Sequence, residues 1–287
     1  MLYSFSIDRY LIKNEKTIDT LKAEKSIIKL NNKGGRVIKK EYKNSPKNPK
    51  IIFWGDSHIT HLQFSKIWEN YNIITYMTSG CPSLIGTFRK DEGNFVNCMD
   101  ISDKEKILDD ILLQDPDYII LINRYNLYAS GYKKKGVLQD ATHFIFDKHS
   151  NSLTQGSRIN VIEIGLENTI KYFKEKSINI VLTYPTYDLS ELGDPRDLYT
   201  SKQRNIPIEY LKESNQILDS TLNNISLKYK IGLLNSREIF VKNDTLSIYD
   251  PKKKRMLYRD DNHLNSTGGL IYTEDLYRQF QIYLNQK

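Results

Sequence analysis

The chain has 287 residues, of which 39% are hydrophobic, 11% aromatic and 27% charged, with a formal net charge of +7. Its longest apolar runs, Ile51 to Trp54 and Tyr118 to Ile122, fall far short of the roughly 20 residues that a membrane-spanning helix needs. The 20 Tyr and 10 Phe supply core material that disordered chains lack, and 14 Gly with 8 Pro exclude collagen-like and low-complexity classes.

In chain order, Met1 to Tyr10 lacks the basic, long apolar and small-residue segments of a signal peptide, which taken alone reads as cytoplasmic. Ile18, Leu21, Ile28 and Leu30 make a partial helical stripe within Lys-rich sequence, and Asn44-Ser45-Pro46 then reads as linker. The expected organisation is a basic arm over residues 1–48 and one globular domain over 49–287. From Lys50 onward strands and helices alternate. Ile51 to Trp54 reads as a buried strand, His58 to Asn70 as a helix, and Asn72 to Met77 as a second strand. Cys81 and Cys98 share one Gly/Asn-containing loop, at a separation that a disulfide could close. Ser102 and Glu105 form a capping box for a helix carrying Ile107, Leu108, Ile111 and Leu112, and Tyr118 to Asn123 is the third strand. Ser157 to Lys176 reads as helix, Ile178 to Thr183 as strand, Ile206 to Tyr229 as helix, Ile231 to Asn235 as the fifth strand and Ser266 to Leu284 as the last helix. Tyr132 to Gln155 breaks this rhythm, as does Thr245 to Tyr258, which pairs as a hairpin around Pro251. Five strands alternating with helices predict a mainly parallel, doubly wound α/β sheet with function at the strands' carboxyl ends.

Two motifs carry chemistry. Gly55-Asp56-Ser57-His58 follows a buried strand and opens a helix, which puts a serine hydroxyl at the sheet edge and its N–H at a positive helix terminus. Gly55 permits the sharp turn; the bland alternative is that Asp56 or Ser57 is an ordinary N-cap. Asp260-Asn262-His263, with the carboxylate three residues before the imidazole, lets Asp260 reach Nδ1 of His263 and leave the other nitrogen as a base. Asp261 lacks that spacing. Serine, histidine and orienting carboxylate are the parts of a hydrolase or acyltransferase triad, whose chain order varies among folds.

With these residues the chain resembles the SGNH (GDSL-like) esterase and acyltransferase superfamily: Gly55-Asp56-Ser57 is similar to its first block and Asp260 to His263 to its last. It resembles most the SGNH domains fused behind polytopic membrane acyltransferases that O-acetylate bacterial surface glycans, through His58, Cys81-Pro82, Arg124-Tyr125, Pro185 and the ending Tyr258 to Leu264. The resemblance implies a flavodoxin-like three-layer α/β/α sandwich with a five-stranded, mainly parallel sheet. It implies Ser57 as nucleophile, His263 as base, Asp260 as orienting acid and a Cys81–Cys98 disulfide. It further implies a glycan acceptor, an acyl donor, a polytopic membrane acyltransferase partner and a place on the extracytoplasmic face of the envelope. No cofactor and no metal is expected. The family's third block, Gly-x-Asn-Asp, is replaced by Ile122-Asn123-Arg124-Tyr125-Asn126. The oxyanion donors then come from Ser57, from Gly80 as the second-block glycine or Ser79 in its place, and from Asn123, Arg124 or Asn126. His58, Arg124 and Tyr125 are the substrate-contact candidates. The alternative function is a non-catalytic glycan-binding module on the same fold.

The remaining candidates have blander readings. His58 and His61 share a face at i, i+3, a metal-ligand spacing, but no neighbouring Cys, His or carboxylate completes a site in the sequence. His143 and His149 read as surface residues. Tyr125, Tyr128, Tyr184, Tyr187 and Tyr258 follow strand ends and either fill the core or stack on sugar rings. Lys133 to Lys135 and Lys252 to Arg255 read as solvated loop tips. With +7 over 287 residues and no recognition motif, nucleic acid is not an expected partner.

Overall fold

The computed structural model describes residues 20–29, 36–89, 101–134, 137–140, 144–147, 154–190, 192–200 and 205–287. Runs rich in β-branched and aromatic residues form its central strands: β1 Glu24–Lys29, β2 Arg36–Tyr42, β3 Lys50–Gly55, β4 Asn72–Thr78, β5 Tyr118–Ile122, β6 Asn179–Thr183 and β7 Gly232–Leu234. They join in the order β1-β2-β4-β3-β5-β6-β7. The last five in that order are mutually parallel and are the five strands read from the sequence.

The sheet has seven strands rather than five. Arg36–Tyr42 pairs antiparallel with β4 over six residues, from Val37 opposite Thr78 to Tyr42 opposite Ile73, and β1 pairs antiparallel with β2. Within the expected helical arm, Glu24–Lys29 and Arg36–Tyr42 are therefore an antiparallel strand pair closing one sheet edge. Of the expected helical stripe, Ile18 and Leu30 lie outside the described residues, whereas Ile28 lies in β1, Val37 is fully buried in the sheet's core cluster and Lys39 ion-pairs with Asp110 at 2.9 Å. The sequence signal was overridden by pairing with an edge strand that the sequence alone does not locate.

The principal helices are α1 Ile101–Leu113, α2 Tyr125–Ser130, α3 Gln155–Lys174, α4 Ile208–Tyr229 and α5 Ser266–Asn285. Strands β3 to β6 bury both faces, so alternate residues serve different layers. Ile52 and Trp54 join Ile107, Ile111, Leu166, Phe173 and Leu222 in one core cluster. Ile51 and Phe53 join Trp68, Tyr272, Leu276 and Phe280 in the other. This is the three-layer sandwich expected. Helix α1 is already helical at Ile101, one residue ahead of the predicted Ser102 cap.

The stretch His58 to Asn70, expected as one helix, is two 3₁₀ turns, Ser57–His61 and Lys66–Trp68, with extended backbone at Leu62 between them. Contacts to α5 compete with helix propagation there: Gln63 N–H donates to Thr273 Oγ1 at 3.0 Å and Trp68 Nε1 to the Thr273 carbonyl at 3.3 Å. Leu62 and Trp68 are buried as expected, while Ile67 is exposed. The hairpin around Pro251 forms, shortened to Tyr249–Asp250 against Arg255–Met256, and Thr245–Ser247 pairs instead with Val241–Lys242 and Asn205–Pro207.

Candidate active site

The carboxyl end of β3 runs straight into Asp56 and Ser57. Gly55 sits opposite Ile122 of β5, and a Cβ there would lie 1.7 Å from the Ile122 carbonyl oxygen. The glycine is thus required by close approach of two strands; the sharp turn expected of it is not the reason. Asp56 is the N-cap of the Ser57–His61 turn and accepts the His58 N–H at 2.9 Å. Its second oxygen accepts the Arg124 N–H and the Tyr128 hydroxyl, each at 2.7 Å. Burial raises the pKa of this enclosed carboxyl, and the Arg124 and His58 N–H groups and the Tyr128 hydroxyl pull in the other direction. Asp56 therefore stitches β3 to the β5–α2 junction, leaving Ser57, half-buried, as the next side chain at the sheet edge.

The other half of the site comes from a loop ahead of α5. An antiparallel bridge between Tyr258 and Leu264, with the Arg259 N–H donating to the His263 carbonyl at 2.7 Å, folds the loop back on itself. Asn265 then caps α5 by accepting the Gly268 N–H at 3.0 Å. Within this loop Asp260 Oδ1 accepts the backbone N–H groups of His263 at 2.7 Å and Asn262 at 3.1 Å. His263 Nδ1 lies 2.9 and 3.0 Å from the two Asp260 oxygens, and His263 Nε2 lies 2.9 Å from Ser57 Oγ. Burial works against the Asp260 carboxylate, but the His263 ring and the two backbone N–H groups outweigh it and hold its pKa well below the ordinary value. Ser57 thus joins Asp260 and His263, 203 and 206 residues further along, in one continuous hydrogen-bonded chain, while Asp261 Oδ1 accepts from the Asn262 side chain.

The model of the family described as "SGNH domain (fused to AT3 domains)" matches residues 26–278. The chain belongs to this SGNH family. No curated protein matches it by sequence. Among solved structures, the lipopolysaccharide acetyltransferase periplasmic domain of Salmonella ser. Paratyphi A is similar at TM-score 0.55 and 15% identity, covering 83% of this chain and 85% of that one. The aryl esterase of M. smegmatis is similar at TM-score 0.45 and 9% identity, covering 81% of this chain and 98% of that one. The SGNH match begins inside β1, so the edge hairpin lies almost wholly within the matched region.

Several expected contacts fall elsewhere in this SGNH domain. Asn123 is buried, and its Oδ1 accepts the Ser83 N–H at 2.9 Å, which fixes the amide's orientation. Its Nδ2 then donates to Ser83 Oγ at 2.8 Å and Tyr125 Oη at 3.0 Å, so both of its N–H groups are committed away from Ser57. Asn126 Nδ2 donates to Asn215 Oδ1, whose own Nδ2 donates to the Leu211 carbonyl, making a tie between α2 and α4. Neither amide is arranged as an oxyanion donor. Gly80 lies in the turn directly after β4 at φ 65°, a left-handed position suited to glycine.

The substrate-contact candidates also move. Tyr125 is fully buried, as is Tyr128; Tyr184, Tyr187 and Tyr258 are buried too, so all five belong to the core and none forms a stacking platform. Arg124 is buried and pairs with Asp188, Nε to Oδ2 at 2.7 Å and Nη2 to Oδ2 at 2.6 Å. Asp188 has no sequence signal linking it to Arg124, 64 residues away. Cys81 is buried and disulfide-bonded, and Cys98 lies outside the described residues. His143, His149 and Lys135 also lie outside them. Lys252, Lys253 and Lys254 are exposed at the hairpin tip.

His58 and His61 are both buried, and burial, followed by the charges of neighbouring histidines, holds both imidazoles well below their ordinary pKa. His58 Nδ1 lies 3.5 Å from Thr186 Oγ1. The sequence reading found no third ligand beside this pair. The fold brings a third imidazole to them, because His263 arrives from the other end of the chain with its ring centroid 5.4 Å from each.

Proposed function

We propose that this SGNH domain is a serine-dependent O-acyltransferase or O-acetylesterase that works on a bacterial surface carbohydrate through an acyl-serine intermediate. The observation that carries the reading is the chain from Ser57 Oγ through His263 Nε2 and Nδ1 to Asp260, with every link at 2.9 to 3.0 Å. Asp260 holds the proton on Nδ1, which leaves the Nε2 lone pair facing the serine. His263 takes the Ser57 proton as Oγ attacks the acyl carbonyl, and returns it to the leaving oxygen when the tetrahedral intermediate collapses. Water or a sugar hydroxyl, deprotonated by the same nitrogen, then attacks the acyl-serine and releases acid or acylated glycan.

The oxyanion is assigned to the backbone N–H groups of Ser57 and Gly80, because the amides of Asn123 and Asn126 are engaged elsewhere. The AT3-fused character of the family supports a polytopic membrane acyltransferase as the source of acyl groups, and the similar Salmonella domain, periplasmic and part of a lipopolysaccharide acetyltransferase, supports an extracytoplasmic glycan acceptor. The Cys81 disulfide, assigned to Cys98, fits an oxidising compartment. Burial of all five strand-end tyrosines weakens the non-catalytic glycan-binding alternative, which needs exposed aromatic faces.

The test is incubation with an acetyl ester and with a serine-reactive phosphonate. Wild type is expected to turn over the ester and take one phosphonate on Ser57, and Ser57→Ala to do neither. Equal labelling and turnover in the two proteins sinks the assignment.

A further inference from the structure

Acyl transfer uses one of three histidines that meet beside Ser57. The other two are buried at the same point, His58 reaching Thr186 Oγ1 at 3.5 Å through Nδ1 alone and His61 with neither nitrogen bonded. His58 and His61 are each 1% exposed, and among the described residues His58 Nε2 and both nitrogens of His61 have no hydrogen-bond partner. A neutral imidazole carries one donor and one acceptor, and burying either without a partner opposes folding. Ordinary core packing does not account for two such rings lying 4.3 Å apart, centroid to centroid, with His263 5.4 Å from both.

What would satisfy them is a cation with a preference for imidazole. One ring nitrogen from each of His58, His61 and His263 lies within 4.8 Å of the other two. Tetrahedral bonds of about 2.0–2.1 Å place ligand nitrogens about 3.3 Å apart, so closing the trio around an ion takes ring movements of about 1 Å. Three imidazoles with one open position suit zinc-class divalent ions and suit calcium or magnesium poorly. Support from behind is already built: Asp260 holds Nδ1 of His263 at 2.9 Å, the arrangement in which a carboxylate orients a metal-bound histidine. His61 is fixed by its backbone as well. Its carbonyl abuts α5 so closely that a Cβ on Gly269 would lie 2.1 Å from it.

We propose that His58, His61 and His263 form a binding site for a divalent transition-metal ion of the zinc class, and that occupancy of this site and catalysis by His263 exclude one another. The ion takes the Nε2 lone pair that otherwise faces Ser57, so a bound metal turns the site off without reaching the substrate. No bond to substrate changes and no electron is transferred. The inhibitory half of the proposal rests on the acyl-transfer reading above; the binding half does not.

The experiment uses the tag-free full chain, stripped with a chelator. Co²⁺ is titrated by absorption, Zn²⁺ by competition with a chromophoric chelator, and the Zn²⁺-loaded protein is examined by X-ray absorption. Expected are one ion per chain, intense tetrahedral Co²⁺ bands, three imidazoles around zinc, and at least about hundredfold weaker binding in His61→Asn and His61→Gln. Mg²⁺ should not compete. Ser57→Ala is expected to bind zinc like wild type, which separates the metal site from the acyl chemistry. If wild type turns over esters, stoichiometric zinc should abolish turnover and chelator should restore it; turnover that persists in the loaded protein overturns the exclusion. Absence of 1:1 binding up to millimolar Zn²⁺, or folded His61 variants that bind as tightly as wild type, overturns the site. Should both variants fail to fold, fewer than three imidazoles around zinc in wild type overturns it equally.

Discussion

Replacing Asp260 with Asn keeps the shape of the side chain and removes the property on which the proposed mechanism depends. In the native loop the two carboxylate oxygens accept from four donor groups, the His263 and Asn262 backbone N–H groups, His263 Nδ1 and, at 3.3 Å, Arg259 Nε. An asparagine has a single acceptor oxygen, and the two backbone donors at 2.7 and 3.1 Å both point at the Oδ1 position. The amide NH₂ then takes the Oδ2 position, 3.0 Å from Nδ1, and favours a ring whose Nδ1 accepts rather than donates. The ring proton moves to Nε2, where it faces Ser57 Oγ and leaves no lone pair to take the serine proton. Wrong-tautomer variants of serine triads lose about 10³- to 10⁴-fold in kcat, equivalent to about 4–5.5 kcal/mol of activation free energy. The assay is kcat/KM on an acetyl ester at neutral pH, with circular dichroism to establish that the loop's backbone hydrogen bonds still fold. Asp261→Asn serves as control and is expected to stay within about threefold of wild type. A loss smaller than about tenfold for a folded Asp260→Asn, or equal losses for the two variants, refutes the assignment of Asp260 and the tautomer argument with it.

Other outcomes follow from the surrounding structure. Arg124→Ala strands a half-buried Asp188 and is expected to destabilise by about 3–5 kcal/mol in urea unfolding, whereas a paired Arg124→Met, Asp188→Leu variant should recover most of that loss. Tyr128→Phe removes a hydroxyl donor from enclosed Asp56 and should cost about 1.5–3 kcal/mol in the same measurement. Gly55→Ala must push β3 away from the Ile122 carbonyl, and is expected to lower the melting temperature sharply and to abolish turnover together. Stability should fall as pH drops below about 6.5: His58 and His61 are depressed in the folded state by burial, so the unfolded chain binds protons that the folded chain refuses, at about 1.4 kcal/mol per proton per pH unit. The Asp260 carboxylate, also depressed, adds stability that is present above the unfolded carboxylate pKa and is lost only as pH falls through its lower folded value. A melting temperature flat between pH 7 and 5 refutes the buried-neutral state of the two histidines.

The alternation of apolar runs with amphipathic windows located all five parallel strands, because in this layered fold each central strand is apolar on both faces and each long helix on one. Helices α3, α4 and α5 lie within two residues of their expected bounds for the same reason. The hairpin β1–β2 and the paired 3₁₀ turns were misread where the deciding partner is remote: β4 for the former and Thr273 of α5 for the latter. At the site, Ser57, His263 and Asp260 were legible through local spacing. Arg124, Tyr125, Asn123 and Asn126 were legible as polar or aromatic residues at a strand end, but not which way they face.

The sequence by itself determined the α/β class, the position of Ser57 at a strand end and the pairing of Asp260 with His263, since each depends on periodicity or on contacts within a few residues. Only the tertiary structure decided that Asn123 and Asn126 bind other side chains, that five tyrosines are core, and that Arg124 is matched by Asp188. It alone brought His263 across 202 residues to stand against His61. The physical reason is the same in each case: a hydrogen bond or a metal ligand is a statement about distance in space, and helical or strand periodicity says which face a residue occupies but not what the fold sets against that face.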